Sequence, residues 1–247
     1  MNYFLNDQTS LNTTTFTIKG TNGKTVYINW GDENTTTCSM TGLNVNYDHD
    51  YVSEGTYNVS FSGDLDEITH FKCIESSISG DIAWISGLAS LKYIFFGDSN
   101  VSGDVANLAG LTNLETIYLY NTSVTGDMSS LSTATLLLNL FLQGSDVSGD
   151  IADLSTLISL TNLRLENTNV DTYTQGVLPD WDACSIYIYN LGLSQQEVDD
   201  FLGDLDTSST ASTKTIRIDG SNSAPSAAGL ASKASLEGKG WTVTVSV

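Results

Sequence analysis

Four tetrapeptides, Ile78-Ser-Gly-Asp81, Val101-Ser-Gly-Asp104, Val124-Thr-Gly-Asp127 and Val147-Ser-Gly-Asp150, start 23 residues apart without a slip, and Val170 opens a fifth, divergent copy. A fixed period in the range of roughly 20–50 residues means stacked units, each too small to bury its own apolar face. Residues 78–170 therefore have to form a solenoid, and the rest of the chain has to close its two ends.

The apolar positions within each copy describe the unit. Copy one carries Ile85, Leu88, Leu91, Ile94 and Phe96; copy two carries Leu108, Leu111, Leu114, Ile117 and Leu119; copy four carries Leu154, Leu157, Leu160, Leu163 and Leu165. The final L-x-L alternates as a half-buried strand does. The three-residue spacing before it suits a 3₁₀ turn on the other side of the coil. Stepping back by one period places inward residues at Ile68, Phe71 and Cys73, followed by Ser76. Stepping forward places them at Ala183, Ile186 and Ile188, for six regular strands in all. This L-x-x-L-x-x-L-x-x-L-x-L pattern resembles the leucine-rich repeat. The Ser-Gly-Asp segment is similar to the L-x-G-x-I-P segment of its plant-type and bacterial forms, and Gly176-Val-Leu-Pro179 is closer still. Where that family has Asn after the strand, this chain has Ser99, Thr122, Ser145 and Thr168, whose hydroxyls hydrogen-bond a buried loop less completely than an amide does.

Residues 1–63 lack the repeat. Phe16-Thr-Ile18, Thr25-Val-Tyr-Ile28 and Tyr57-Asn-Val-Ser-Phe61 alternate like sandwich strands. Between them lie Trp30-Gly31-Asp32-Glu33, His49-Asp-Tyr51 and Gly55-Thr-Tyr57-Asn-Val59, which resemble the W-G-D-G, H-x-Y and G-x-Y-x-V motifs of the PKD-type immunoglobulin-like domain. Glu33 replaces the second glycine. The resemblance implies a small β-sandwich serving as spacer or attachment module, with Trp30 in its core and Asp32 capping a turn. Such a sandwich would cover the first coil, with residues 63–66 as the junction. Beyond Asn190, Ser194 to Leu202 reads as a helix with a Ser194/Glu197 capping box and an apolar face of Val198, Phe201 and Leu202. Thr215-Ile-Arg-Ile218 and residues 241–245 read as further strands, with a second helix over residues 224–238. This ending resembles C-terminal caps of repeat proteins from gut bacteria and their phages. The expected architecture is mainly β with α/β elements: a β-sandwich over residues 1–63, a leucine-rich-repeat solenoid with a parallel sheet over residues 64–190, and an irregular β-α cap over residues 191–247.

Composition excludes several functions. The net charge is −20, and Arg164 and Arg217 are the two arginines. Nucleic-acid binding needs clustered Lys and Arg, and docking on anionic lipid needs the same. No stretch is apolar enough to span a membrane. The start, Met1-Asn-Tyr-Phe-Leu-Asn-Asp7, has no basic region and does not read as a signal peptide. Cys38, Cys73 and Cys184 define no disulfide framework. With two histidines, His49 in the sandwich motif and His70 at the edge of the stack, no catalytic grouping, metal cluster or phosphate loop is visible. The chain is read as a non-enzyme without cofactor or metal.

Fixed register assigns the strand's outward residues. They include Lys72, Phe95, Tyr118, Phe141, Arg164, Tyr187 and Arg217, then Ile74, Gly97, Tyr120, Gln143, Glu166 and Tyr189, and on the other side His70, Tyr93, Thr116, Asn139 and Asn162. With neighbouring strands about 4.8 Å apart, Tyr93, Phe95, Tyr118, Tyr120 and Phe141 form one aromatic patch on the concave face, and Tyr187 and Tyr189 a second. Either these rings only pack across strands, or they form a recognition surface flanked by Asn139, Asn162, Arg164 and Glu166. The other ladder is Asp81, Asp104, Asp127 and Asp150. Neighbouring carboxylates about 5 Å apart repel by roughly 0.8 kcal/mol in water, and capping the following turn returns about 0.5–2 kcal/mol each. One carboxylate per coil falls short of the roughly six to eight oxygens calcium takes, so these aspartates are read as caps. The functional expectation is a binding or structural protein exposed on a bacteriophage virion, as a capsid- or tail-associated decoration, fibre or adhesion protein. The alternative is a bacterial cell-surface adhesin. Its partners would be other virion or cell-surface proteins, or surface glycans.

Overall fold

A computed structural model, which describes residues 2–8, 13–73 and 77–247, closes each 23-residue unit into one coil. The coil beginning at Tyr93 shows the plan. A short strand, Tyr93–Phe95, leads through Asp98 into a second strand, Asn100–Asp104, then a 3₁₀ segment, Val105–Leu108, and returns to the next coil's Thr116–Tyr118. Two sheets result. The first-strand sheet runs parallel through Ile68–Cys73, Tyr93–Phe95, Thr116–Tyr118, Asn139–Phe141, Asn162–Arg164 and Ser185–Tyr187. Ile94 lies opposite Ile117, and Leu140 opposite Leu163, as the period requires. The Ser-Gly-Asp segments form a second parallel sheet through Ile78–Asp81, Asn100–Asp104, Ser123–Asp127, Asp146–Asp150 and Asn169–Thr172. The sequence alone did not announce this second sheet, because a three-residue glycine motif does not read as a strand.

The core lies between the sheets. Ile94, Phe96, Ile117, Leu119, Leu140, Leu142, Leu163 and Leu165 are fully buried, as are Val101, Val124, Val147 and Val170. In the fifth coil the inward place expected for Ala183 belongs to Cys184; Ala183 is exposed. Gly176-Val-Leu-Pro179 does not take the glycine-motif position either. Val170 pairs with Gly149 there, a bulge follows, and Val177 stands 88% exposed.

The N-terminal strands extend both solenoid sheets. Thr13–Gly20 pairs antiparallel with Ile68–Cys73 and carries Val45–Asp50 on its other side. Asn2–Gln8 pairs antiparallel with Ile78–Asp81 and with Gly55–Gly63, followed by Thr25–Asn29 and Thr35–Ser39. Strand Ile68–Cys73 is thus flanked on both sides, so His70 does not sit at an edge. The core is equally continuous: Phe61 stacks on Trp84 of the first coil and Phe71 meets it edge-on, at 5.5 and 5.1 Å between ring centroids. Trp30 is fully buried and stacks on His49, whose Nε2 meets Asp32 Oδ2 at 2.8 Å. Asp32 also accepts from Asn34 N, and Glu33 adopts φ +72°, the conformation a glycine there would hold without strain. Ile74 and Ser76 lie outside the described residues.

At the other end, α1 (Gln195–Ser208) starts at Ser194 with a reciprocal Ser194–Glu197 capping box and buries Val198, Phe201, Leu202 and Leu205. Helix α2 (Ala227–Gly238) begins three residues later than its composition suggested, because Ser226 after Pro225 provides the N-cap. Strands Thr215–Ile218 and Thr242–Val245 continue the first-strand sheet in parallel. Asp182 Oδ1 accepts from Ser209 Oγ, and its Oδ2 accepts from Thr210 N and Oγ1 and from Ala211 N, tying the last regular coil to the chain leaving α1.

Candidate functional site

Register places one row of side chains across the outer face of the ten-stranded sheet. Asn46, Thr17, Lys72, Phe95, Tyr118, Phe141, Arg164, Tyr187 and Arg217 are successive partners. Neighbours in the middle of the row touch. Lys72 Nζ stands 5.1 Å from the Phe95 ring, Phe95 meets Tyr118 edge-on at 5.4 Å, and Tyr118 lies 4.6 Å from Phe141. The Arg164 guanidinium lies 5.8 Å from Phe141 and 5.1 Å from Tyr187. Tyr93 and Tyr120 join from the flanks, at 5.7 Å from Tyr118 and 5.9 Å from Phe95. The two aromatic patches expected from the sequence are therefore one row, because Arg164 bridges them through its cation–π contacts. Tyr189 sits under Arg217, 4.1 Å from its guanidinium.

Sequence determines how these rings lie. Tyr120 covers Gly97, where a Cβ would stand 2.4 Å from its ring. No other residue at position 97 would let the tyrosine lie flat. Burial pushes the Tyr93 hydroxyl up to about 12, with the neighbouring Tyr118 and Tyr120 adding to it, so Tyr93 stays a neutral donor. Each ring of the row is half-buried by its neighbours.

The polar flank is a second ladder. Asn162 Nδ2 donates to Asn139 Oδ1 at 2.8 Å, and Asn139 Nδ2 donates to Thr116 Oγ1 at 3.1 Å. Glu166 does not belong to the reachable surface. It is 1% exposed and accepts from Arg164 Nε at 2.8 Å, holding the guanidinium in the row. Arg217 is held the same way by Asp219.

The four aspartates lie on the other sheet. Asp81, Asp104, Asp127 and Asp150 each accept from the backbone N–H two residues on, at 2.8–2.9 Å, at the start of a 3₁₀ segment. Each of the first three carboxylates also lies over the glycine of the next coil. A Cβ at Gly103, Gly126 or Gly149 would come within 2.0–2.7 Å of that oxygen, and all three glycines have positive φ. Among the described residues no three His, Cys, Asp or Glu side chains are grouped as metal ligands would be. Burial pushes the Cys38 and Cys184 thiols up to about 12, so neither is a nucleophile.

Coils that stack on a Leu/Ile/Val core, each giving one short strand to an exposed parallel sheet and a second to the sheet behind it, define a leucine-rich-repeat fold. No protein-family model and no curated protein matches the sequence. Solved structures do. The PEPR1–AtPEP1 structure is 18% identical over 72% of this chain and 24% of that one, with a TM-score of 0.52. An internalin, InlF, from Listeria monocytogenes is 20% identical over 67% of this chain and 44% of that one, with a TM-score of 0.46. The LRR ectodomain of the receptor kinase SOBIR1 from Arabidopsis thaliana is 22% identical over 44% of this chain and 62% of that one, with a TM-score of 0.38. At these identities the likeness is one of fold, and this chain spans less than two thirds of each.

Proposed function

We propose that the protein is a non-enzymatic recognition protein that binds its partner on the outer face of the ten-stranded sheet. The observation that carries this reading is the continuous row from Lys72 to Tyr187. It offers half-buried rings at low conformational cost, interleaved with fixed cations, which is the composition of binding anchors. A protein segment lying across the strands would meet Phe95, Tyr118 and Phe141 at its centre and Asn139, Asn162 and Arg164 beside them. A surface glycan would use the same rings, with the Asn139–Asn162 amides as hydrogen-bonding partners. The N-terminal strands, with their Trp30, Asp32, His49 and Tyr51 contacts, act as a PKD-type spacer fused to the first coil. The setting proposed is the surface of a bacteriophage virion, with a bacterial cell surface as the second reading. Both rest on an acidic surface rich in Ser, Thr and Asn. Capsid or tail genes beside this one would support the virion; an upstream in-frame leader or lipobox would support the cell.

The test is attachment of the labelled chain to intact bacterial cells. Tyr118→Ala and Phe141→Ala should each weaken attachment by about 1–3 kcal/mol, while Asp127→Asn on the other sheet leaves it unchanged. If Tyr118→Ala instead lowers stability by several kcal/mol and attachment merely follows the folded fraction, the rings are structural and this reading fails.

A further inference from the structure

The row does not end at Lys72. Where it passes onto the antiparallel strands, the sheet opens into a pocket of about 540 Å³ lined by Thr15, Thr17, Asn44, Asn46, His70, Lys72 and Tyr93. That volume lies within the range of about 300–1,000 Å³ typical of small-molecule sites. Its lining is unlike the rest of the face: two hydroxyls, two amides, an imidazole, an ammonium and one aromatic ring, without a carboxylate. Thr15 and Thr17 donate to Asp48 Oδ1 and Asn46 Oδ1, at 2.8 and 2.9 Å, so their oxygens are turned into acceptors with a fixed direction. His70 stacks parallel to Tyr93 at 5.6 Å, and its Nδ1 meets Thr69 Oγ1 at 3.0 Å. Burial, then the Lys19 charge, lowers the His70 pKa, which leaves a neutral ring.

Charge singles out the same place. Of the nine lysines and arginines, six are ion-paired: Lys24, Lys92, Arg164, Arg217, Lys233 and Lys239. Among the described residues, Lys19, Lys72 and Lys214 make no ion pair. Lys72 lines the pocket, and Lys19 lies opposite His70 in the strand register. In a chain of net charge −20, one such ammonium therefore lines the polar cavity and a second acts on His70 at its wall. Asp48, bonded to Thr15, and Glu115, which acts on His70, stand just outside the lining, and acids farther off are screened over about 8 Å at physiological salt.

We infer that this pocket binds an acidic sugar residue, with Lys72 taking its carboxylate, the Asn and Thr side chains its hydroxyls, and the Tyr93 ring its C–H face. A polyol accounts for the dense array of mixed donors and acceptors, which a simple anion would not use. A ring of C–H groups accounts for the aromatic wall. The pocket shares Lys72 and Tyr93 with the end of the aromatic row but does not require partner binding there.

The experiment is a titration of the full chain with methyl β-D-glucuronide, followed by backbone amide NMR. Saturable shifts should appear at Thr17, Asn46, His70 and Lys72, weaken with added salt, and weaken about tenfold in Lys72→Gln, the loss of one hydrogen bond to a charged group. Asn46→Ala should weaken binding with an unchanged melting temperature, whereas Tyr118→Ala should leave it intact, separating this site from the row. Methyl β-D-glucoside should bind more weakly than the glucuronide. Absence of saturable shifts, equal binding of the glucoside, or undiminished binding by Lys72→Gln overturns the assignment. Tighter binding of acetyl-alanyl-alanine than of the glucuronide also overturns it, and makes the pocket a site for a peptide carboxylate.

Discussion

At the scale of single residues, the Ser-Gly-Asp motif is a contact between coils. The aspartate caps its own 3₁₀ segment, and the glycine of the next coil leaves room for that carboxylate. Gly126→Ala should cost about 1–3 kcal/mol from its positive φ alone, plus the collision of its Cβ with Asp104 Oδ1 at 2.0 Å. Gly110→Ala, with nothing within 4 Å, should change urea stability by no more than about 0.5 kcal/mol. Asp104→Ala should cost about 1 kcal/mol through the lost cap, and chelator should leave its melting temperature and that of the parent unchanged. Because Asp104→Ala also clears the space over Gly126, the double variant should be less destabilised than the two singles added together. Strict additivity would mean the two residues are not coupled. Hydroxyls also show their limits at this scale. Ser99, Thr122, Ser145 and Thr168 each donate once, to the carbonyl three residues back. Asn222 in the cap donates to Ile188 O and Ile218 O and accepts from Leu191 N and Leu193 N.

At the scale of elements, alternation decides what a substitution costs. Leu140 is fully buried and Leu138, two residues earlier, is 38% exposed. Leu140→Ala should destabilise by about 2–5 kcal/mol and Leu138→Ala by well under 1 kcal/mol, measured by chemical denaturation. Similar losses at both would mean the strand is flipped. The cap offers a pH test. Burial pushes the Asp182 carboxyl up, but bonds from Ser209, Ala211 and Thr210 outweigh it and hold the group at about 2, below its ordinary 3.8. A depressed folded-state pKa gives stability that is fully present above the unfolded value and is lost as pH falls through the folded one. Asp182 therefore adds stability at neutral pH that disappears between about pH 4 and pH 2. Asp182→Asn should be less stable at pH 7, and the difference from the parent should shrink across that window.

For the whole molecule, what counts is that both sheets run unbroken from the N-terminal strands into the coils. Removing residues 124–146, one full period, should leave a cooperative fold with one coil fewer, whereas removing ten residues inside a coil should not. That shortened chain also lacks Phe141, so its attachment should fall even though it folds. A fragment of residues 64–247 would strip the partners of strands Ile68–Cys73 and Ile78–Asp81 and uncover Phe71 and Trp84. It should aggregate or unfold well below the parent melting temperature. A fragment with the parent's stability would show that the N-terminal strands contribute nothing to the solenoid.

The 23-residue period by itself determined the inward and outward residues of the first-strand sheet, because a coil has one register that buries all its leucines. It determined the aspartate caps and the start of α1 as well, since those interactions are local in sequence. A ladder of left-handed turns at Asp98, Asn121, Gly144, Asn167 and Asn190 was not read from the sequence, although every one of them is Asp, Asn or Gly at a fixed offset. Tertiary structure alone decided the rest. Arg164 became a bridge between aromatic patches because Glu166 was buried beneath it. Cys184 rather than Ala183 turned inward in a coil that carries a bulge but keeps the one-period step from Leu163 to Ile186. The polar pocket exists because Thr13–Gly20 and Val45–Asp50 pair onto the first coil. That pairing joins residues some fifty positions apart, outside any period, and only the closed sheet brings their side chains to one cavity.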